Sequence, residues 1–191
     1  MRVLLVGHSY VRDLMHLGYN TFHTEGEKFE VEYIYQSGAN YDTYLNDTSL
    51  LDPAYGFQPD YVIVILAGNS INNYTPNSEI YQKARDFYSV LGDRLPDAKI
   101  IAAQPELRFY SEDNHWDAPG TDEYRGRRNS FCNFLRRDKT KHAIMQISGP
   151  GRMDSKEYYS DGVHLNNVGL EKYFNIIKTC IGYHFRAGFQ H

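Results

Sequence analysis

Residues 61–70 read YVIVILAGNS, a run of apolar residues that ends abruptly in small and polar ones. A short run of this kind, rich in Val and Ile, is typical of a strand that is buried on both faces of a sheet. Similar short runs occur at residues 3–6, 29–35, 100–103 and 143–147. Because helical patterns alternate with these five runs, the sequence predicts an α/β fold, with successive βαβ units around a parallel sheet. The run at 61–66 is its expected central strand.

Apolar residues at helical spacing predict helices around residues 80–95, 124–135 and 170–181, and Ser78 is the expected cap of the first. The second helix carries the arginines Arg125, Arg127, Arg128, Arg136 and Arg137. We expect them on a solvated face rather than in a phosphate-binding patch. Two long polar stretches, 41–60 and 105–120, do not fit the alternation and are predicted to be functional or mobile loops.

Length and composition limit the classes of protein to consider. The 191 residues fit one domain, residues 1–191, and the formal charge of -4 gives no basic footprint for nucleic acid as the main partner. Cys132 and Cys180 lack the close spacing of a metal or redox motif, so we expect buried free thiols rather than a disulfide. No apolar stretch is long enough for a membrane span, and a cytoplasmic location is expected if Met1 is the native start.

The first apolar run ends in Gly7-His8-Ser9-Tyr10 and continues into a helical pattern, which places Ser9 at a strand-to-helix turn. Such a turn exposes a hydroxyl group at the carboxyl edge of the sheet, where α/β proteins bind their ligands. The free backbone N–H groups of the helix start favour a developing negative charge nearby. Ser9 is therefore a candidate nucleophile, and a role as the helix cap is the alternative.

Polar residues at later points in the chain could complete a catalytic site with Ser9. Asp161 and His164 stand three positions apart just before a helical pattern, so the carboxylate could orient the imidazole ring toward a hydroxyl group. Asn69 follows the central run and could donate its amide to an oxyanion. Gly38 follows the second run and could present its backbone N–H to the same point. Taken separately, each of these segments is also an ordinary turn or helix cap.

In their order and separation, these four segments resemble the four sequence blocks of the SGNH (GDSL-like) hydrolase superfamily. The segment Asp161-Gly-Val-His164-Leu-Asn is the most specific match. The resemblance implies a three-layer α/β/α fold with a five-stranded parallel sheet in flavodoxin-like order. It also implies that Ser9 is the nucleophile, that His164 is the base and then the acid, and that Asp161 orients His164. The backbone N–H groups of Ser9 and Gly38 would form the oxyanion hole together with the Asn69 side chain.

Two residues depart from the family pattern. His8 stands where the family has the Asp of Gly-Asp-Ser, and Ser70 stands where it has the Asp that follows the third-block Asn. Both changes remove a carboxylate near the nucleophile. We expect the His8 ring to project away from the nucleophile, to bond to neighbouring backbone, and to hold the loops that carry Gly38 and Asn69. Replacing His8 with Asp would then restore the family motif and retain turnover.

The resemblance implies a serine esterase that hydrolyses a small acyl ester, such as an acetyl ester of a glycan or a lipid, without a metal or another cofactor. The sequence contains no His-x-His or His-Glu-x-x-His spacing that would indicate a metal site. An aromatic and polar mixture suited to a glycan or a lipid headgroup is expected beside the cleft. It consists of Glu106, Arg108, Phe109, Tyr110, His115 and Trp116.

The alternative function is an SGNH fold that binds a partner without catalysis. Related esterase-like domains occur in proteins encoded by some animal retrotransposons, and the chain could be part of such a larger protein. In that setting Arg125, Arg127 and Arg128 could contact nucleic acid.

Overall fold

The computed structural model describes residues 1–110, 118–147 and 154–188, and its centre is a six-stranded sheet. The strands are β1 (Arg2–Gly7), β2 (Thr21–Thr24), β3 (Glu27–Tyr35), β4 (Tyr61–Ile65), β5 (Lys99–Ala103) and β6 (Ala143–Met145). They lie in the order β2-β3-β1-β4-β5-β6, and every neighbouring pair is parallel except β2 and β3. All five predicted strands are present, and they follow the expected flavodoxin-like order.

The strand that sequence analysis missed is β2, an edge strand that pairs antiparallel with β3. Phe22 is its one apolar residue, and this ring stacks on Phe29 of β3. The connecting turn places Glu25 and Gly26 at φ angles of 51° and 77°. Two left-handed residues are typical of a tight hairpin turn, for which Asn-Gly or Asp-Gly is the usual signal. The prediction of five strands was therefore one strand short.

The helices are α1 (Ser9–His16), α2 (Tyr41–Asn46), α3 (Asp52–Phe57), α4 (Asn77–Arg94), α5 (Thr121–Arg137) and α6 (Asn167–Arg186). Single 3-10 turns lie at Thr48–Leu51, Ala67–Ser70 and Ser155–Glu157. Within the described ranges, no helix combines the length and the apolar character required to cross a bilayer.

The strands divide the core into two halves because successive side chains point to opposite faces of the sheet. Leu4 and Val6 of β1 belong to a buried cluster with side chains of α2, α4 and α5. Val3 and Leu5 belong to a second cluster, which includes side chains of α1 and α6. Helices therefore cover both faces of the sheet, in the expected three-layer α/β/α arrangement.

Residues 41–60 form two short helices rather than the predicted loop. Tyr41 and Tyr44 of α2 are buried, and their hydroxyl groups are satisfied inside the core. The Tyr41 hydroxyl lies 2.9 Å from that of Tyr88, and the Tyr44 hydroxyl donates to the carbonyl of Gly7 at 2.6 Å. The helix α2 was not predicted because the hydroxyl groups of its tyrosines make the segment appear polar in the sequence, although their rings are buried.

The first predicted cap was also wrong. The helix α4 begins at Asn77 and its N-cap is Pro76, so Ser78 lies inside the first turn.

The expectation that the arginines of α5 share one solvated face was wrong. Arg128 is only 4% exposed, and its Nε donates to the carbonyl of Pro105 at 2.6 Å. Arg127 donates to Oδ1 of Asn77 at 3.0 Å and to carbonyl groups of the loop before α4. Arg125 remains exposed. Arg127 and Arg128 thus bind the protein's own backbone, and a contact of the three arginines with nucleic acid stays a prediction.

Both cysteines are free thiols, as predicted, with Cys132 buried in α5 and Cys180 partly buried in α6.

Candidate active site

The turn between β1 and α1 leaves the Ser9 hydroxyl without a capping role. The N-cap of α1 is His8, whose Nδ1 accepts the N–H of Tyr10 at 3.2 Å. The backbone N–H of His8 donates to the carbonyl of Ile65 on β4 at 3.1 Å, and a side chain at Gly7 would overlap that carbonyl. The strand end is thus fixed between its neighbours. The alternative role of Ser9 as the helix cap is wrong.

The structure places Ser9, His164 and Asp161 in one chain of hydrogen bonds. The Ser9 Oγ lies 3.1 Å from Nε2 of His164, and Nδ1 of the same ring lies 2.6 Å from Oδ2 of Asp161. In the tautomer that donates Nδ1–H to the carboxylate, Nε2 is free to accept the serine proton. The geometry therefore has the order of hydroxyl, imidazole and carboxylate that acyl transfer uses.

The Asp161 carboxylate is held in its charged form. Its Oδ1 accepts the backbone N–H groups of Val163 at 2.8 Å and of His164 at 2.9 Å. Partial burial acts to raise the pKa of Asp161, but the hydrogen bonds from the His164 ring and from these two N–H groups outweigh it and lower the pKa. The carboxylate can therefore stabilise a positive charge on the ring.

The loop of Asp161 and His164 is fixed from two sides. The Tyr10 hydroxyl on α1 donates to the carbonyl of Val163 at 2.5 Å. On the other side, the N–H of Phe109 donates to the carbonyl of Gly162 at 2.8 Å. Gly162 has a φ of 69°, and a Cβ at this position would overlap the Phe109 backbone. A glycine is required here for both reasons.

Asn69 and the turn of Gly38 are joined to each other. Asn69 follows β4 in a 3-10 turn, and its Nδ2 donates to the carbonyl of Ala39 at 2.9 Å. Gly38 has a φ of 73° in a turn closed by the N–H of Ala39 and the carbonyl of Gln36, at 3.1 Å. An amide nitrogen carries two hydrogens, so the bond to Ala39 leaves Asn69 a second one to donate. Two of the three expected oxyanion donors, Gly38 and Asn69, thus belong to loops at the carboxyl ends of β3 and β4.

A cavity of about 390 Å³ opens beside the histidine and the aspartate. Its walls come from α1, from the loop before α6 and from the start of α6, and they mix charged, aromatic and aliphatic groups. The lining includes Arg12, His16, Tyr159, Asp161, His164 and Leu170. The cavity has a volume near the lower end of the range of small-molecule sites, which is roughly 300–1,000 Å³.

Among residues 1–110, 118–147 and 154–188, no group of three or more His, Cys, Asp or Glu side chains is placed to hold a metal ion.

Comparison with known proteins gives a clear result only at the level of structure. The sequence matches no protein-family model, and it matches no curated protein. Among solved structures, a candidate SGNH hydrolase from Slackia heliotrinireducens is similar, with 15% identity, a TM-score of 0.65, and coverage of 95% of this chain and 99% of that one. A lipase/acylhydrolase from Enterococcus faecalis is 14% identical, with a TM-score of 0.63 and coverage of 95% and 96%.

A carbohydrate esterase of family 3 from Talaromyces cellulolyticus is also similar, at 14% identity and a TM-score of 0.64, with coverage of 95% of this chain and 96% of that one. The likeness extends over almost the whole length of each protein. The chain has an SGNH-hydrolase-like fold.

The two departures from the SGNH sequence pattern lie at the ends of neighbouring strands. The His8 ring is fully buried and bonds to neighbouring backbone, as expected, through the N–H of Tyr10. Ser70 is also buried, and within the described residues its hydroxyl has no hydrogen-bond partner.

Glu106 and Arg108 were expected among the side chains of the cleft, but their position differs from that expectation. Both are buried, at 1% and 6% exposure, and they form an ion pair that contacts His8 and Asn69. Burial acts to raise the pKa of Glu106, but the charge of Arg108 and the proximity of His8 outweigh it, so the pKa lies far below its usual value. Phe109 and Tyr110 are partly exposed, and His115 and Trp116 lie outside the described residues.

Proposed function

We propose that this chain is a serine esterase that hydrolyses a small acyl ester through Ser9, His164 and Asp161. One observation supports it above all, the hydrogen-bonded series from Ser9 Oγ through the His164 ring to Asp161, with distances of 3.1 and 2.6 Å. A serine is a weak nucleophile unless a base is within reach, and these distances meet that requirement.

The first half of the reaction forms an acyl-enzyme. Neutral His164 accepts the Ser9 proton at Nε2 while Oγ attacks the carbonyl carbon of the ester. The tetrahedral intermediate then collapses, the C–O bond to the alcohol breaks, and His164 returns the proton to the departing oxygen. Asp161 holds the ring in the required tautomer and stabilises its positive charge during both steps.

The second half releases the acid. Water gives a proton to His164 and attacks the acyl carbon, and the new tetrahedral intermediate expels the Ser9 oxygen, which recovers its proton from the ring. The negative oxygen of each intermediate is expected to accept hydrogen bonds from the backbone N–H groups of Ser9 and Gly38 and from the Asn69 side chain. Fixed donors at such a point commonly lower the barrier more than any other single feature.

The cavity and the similar structures support a proposal for the class of substrate. The cavity of about 390 Å³ next to His164 accommodates a small or medium-sized group rather than a polymer chain along its length. Its Arg12, His16 and Tyr159 offer polar contacts and one aromatic ring. Similar folds include an acetyl xylan esterase and a lipase/acylhydrolase. We therefore propose a short acyl group, such as acetyl, on a polar alcohol.

Covalent labelling by a fluorophosphonate probe tests the proposal directly, because the probe reacts with an activated serine. Wild-type protein should be labelled once per chain and should hydrolyse a short aryl ester, whereas Ser9→Ala should do neither. Ser130→Ala is the matched control, since this serine of α5 is exposed and its hydroxyl donates to the carbonyl of Gly126. Equal labelling of Ser9→Ala and wild type would refute Ser9 as the nucleophile.

The second candidate function is a binding module without catalysis, and the loss of family carboxylates at positions 8 and 70 favours it. A folded wild-type protein that neither reacts with the probe nor hydrolyses aryl esters would support this alternative.

A further inference from the structure

The buried ion pair connects the strand end of the nucleophile with that of the expected oxyanion donor. We propose that Glu106 and Arg108 are positioning residues, which hold His8 and Asn69 in place and restore one of the carboxylates that the family pattern has near the nucleophile. The inference rests on the proposed esterase function, since it assigns a role within that site.

The contacts form a continuous path. The His8 Nε2 lies 3.3 Å from Oε1 of Glu106, and the same oxygen accepts Nε of Arg108 at 3.0 Å. The Nη2 of Arg108 also binds Glu106, and it donates to Oδ1 of Asn69 at 2.8 Å. Asn69 in turn donates to the carbonyl of Ala39 at 2.9 Å. Five residues thus connect the loops that follow β1, β3, β4 and β5.

Arg108 decides the orientation of the Asn69 amide. Because a guanidinium can only donate, it must face the oxygen of Asn69, and the Asn69 nitrogen is then turned toward Ala39 and the site. An amide rotated by a half-turn would place a hydrogen-bond acceptor where the oxyanion forms. The buried pair therefore fixes the chemical identity of the group that Asn69 offers.

The sequence around the pair leaves room for it. Gly68, directly before Asn69, has no space for a side chain, because a Cβ there would overlap the Glu106 carboxylate and the Arg108 guanidinium. The Tyr124 hydroxyl also donates to the Glu106 carbonyl at 2.7 Å, which holds the backbone of the pair against α5. The pair is thus enclosed, and little water can screen its charges.

This arrangement reverses an expectation from the sequence. The family motif predicts that His8→Asp retains turnover, but the new carboxylate would face Glu106 in a buried space that holds one arginine. Two buried carboxylates so close repel each other. We expect His8→Asp alone to lower activity, and Glu106→Gln added to it to restore activity, because a glutamine amide can donate to the introduced aspartate.

The test is a double-mutant cycle with four proteins: wild type, His8→Asp, Glu106→Gln, and the double variant. For each, kcat and KM are measured with a short aryl ester, and the melting temperature is measured separately. Each single variant should lower kcat roughly tenfold or more and should leave KM little changed. This loss is a part of the roughly 10²–10³-fold loss of kcat that the removal of an oxyanion donor causes. The double variant should recover most of kcat and should melt above His8→Asp.

Two further variants separate positioning from simple stability. Asp138→Asn removes another buried carboxylate, one that binds Thr140 at the opposite end of α5, and it should lower the melting temperature without changing kcat. Arg108→Lys keeps the buried charge but loses the fork that reaches both Glu106 and Asn69. It should fold and lower kcat, so the proposal remains testable if Glu106→Gln does not fold.

The outcomes distinguish this proposal from the proposed function. If wild type hydrolyses the ester but folded Glu106→Gln or Arg108→Lys keeps wild-type kcat, the positioning role is refuted and the esterase stands. If the kcat of the double variant is no higher than the product of the two single-variant effects predicts, the positioning role is also refuted. If wild type itself shows neither turnover nor probe labelling, the esterase function fails and the positioning role fails with it.

Discussion

Gly162→Ala should weaken both the fold and the catalysis, because it strains the loop that carries Asp161 and His164. The substitution forces an alanine to a φ of 69°, and it drives a methyl group into the Phe109 backbone. The N–H of Phe109 now donates to the Gly162 carbonyl at 2.8 Å. Relief of the overlap must therefore move either the loop or the segment that holds it.

The destabilisation caused by the left-handed φ angle and that caused by the overlap with Phe109 can be separated with a second glycine. Gly18 has a φ of 87°, but a Cβ there has no atom within 4 Å. Gly18→Ala therefore measures the left-handed strain alone, which is roughly 1–2 kcal/mol. Overpacking adds roughly 1–3 kcal/mol at position 162. At roughly 2–4 °C per kcal/mol for a chain of this size, Gly162→Ala should melt about 2–12 °C below Gly18→Ala.

The activity of the two variants should differ even more than their stability. A displacement of about 1 Å in a catalytic group can cost roughly 10²-fold in rate, so Gly162→Ala should lower kcat by that order. Gly18→Ala should keep wild-type kcat. Thermal unfolding and turnover of a short aryl ester, measured well below the lower melting temperature, provide both numbers. Equal melting temperatures and equal kcat in the two variants would refute the argument from the Phe109 contact.

Three other outcomes follow from the described contacts. Asn69→Ala should lower kcat by roughly 10²–10³-fold if the amide donates to the oxyanion, whereas a change confined to KM would make Asn69 a substrate-binding residue. Activity should fall as the pH is lowered into the acid range where the Asp161 carboxylate gains its proton, which the lowered pKa of this group places below the usual aspartate range; a rate that stays flat into that range would contradict a role for the charged carboxylate. Burial raises the pKa of Cys132 and raises that of Cys180 to about 12, so both should react slowly with iodoacetamide at pH 8 in native protein and rapidly in urea, and fast labelling of native protein would contradict this packing.

Much of the fold could be predicted because the buried strands carry almost no polar side chains. All five residues of β4 are buried, and so are all but the first of β1. The short helix α2 escaped prediction because its buried face consists of Tyr41 and Tyr44, whose hydroxyl groups hide the apolar pattern. Strand β2 escaped because Phe22 alone points into the core. For α2 the missing information was that the tyrosine hydroxyl groups have partners inside the protein.

The candidate site was predictable where the chain carries a local motif. Asp161 and His164 are three positions apart in one loop, and Ser9 stands directly after a strand, so each could be found from neighbours in the sequence. Glu106 and Arg108 could not be found in this way. Only the fold reveals that these charges meet His8 and Asn69, since charged residues in a polar stretch are normally assigned to the solvent.

The contact between Ser9 and His164 joins positions that are 155 residues apart, and this separation has a consequence for folding. Contacts between distant segments form late because the loop that they close is long. On the ribosome the nucleophile is made 155 residues before its base, and it has no base until the segment of His164 and α6 has docked on the face that holds α1. A refolding chain should therefore recover its helices and strands before it recovers a reactive serine.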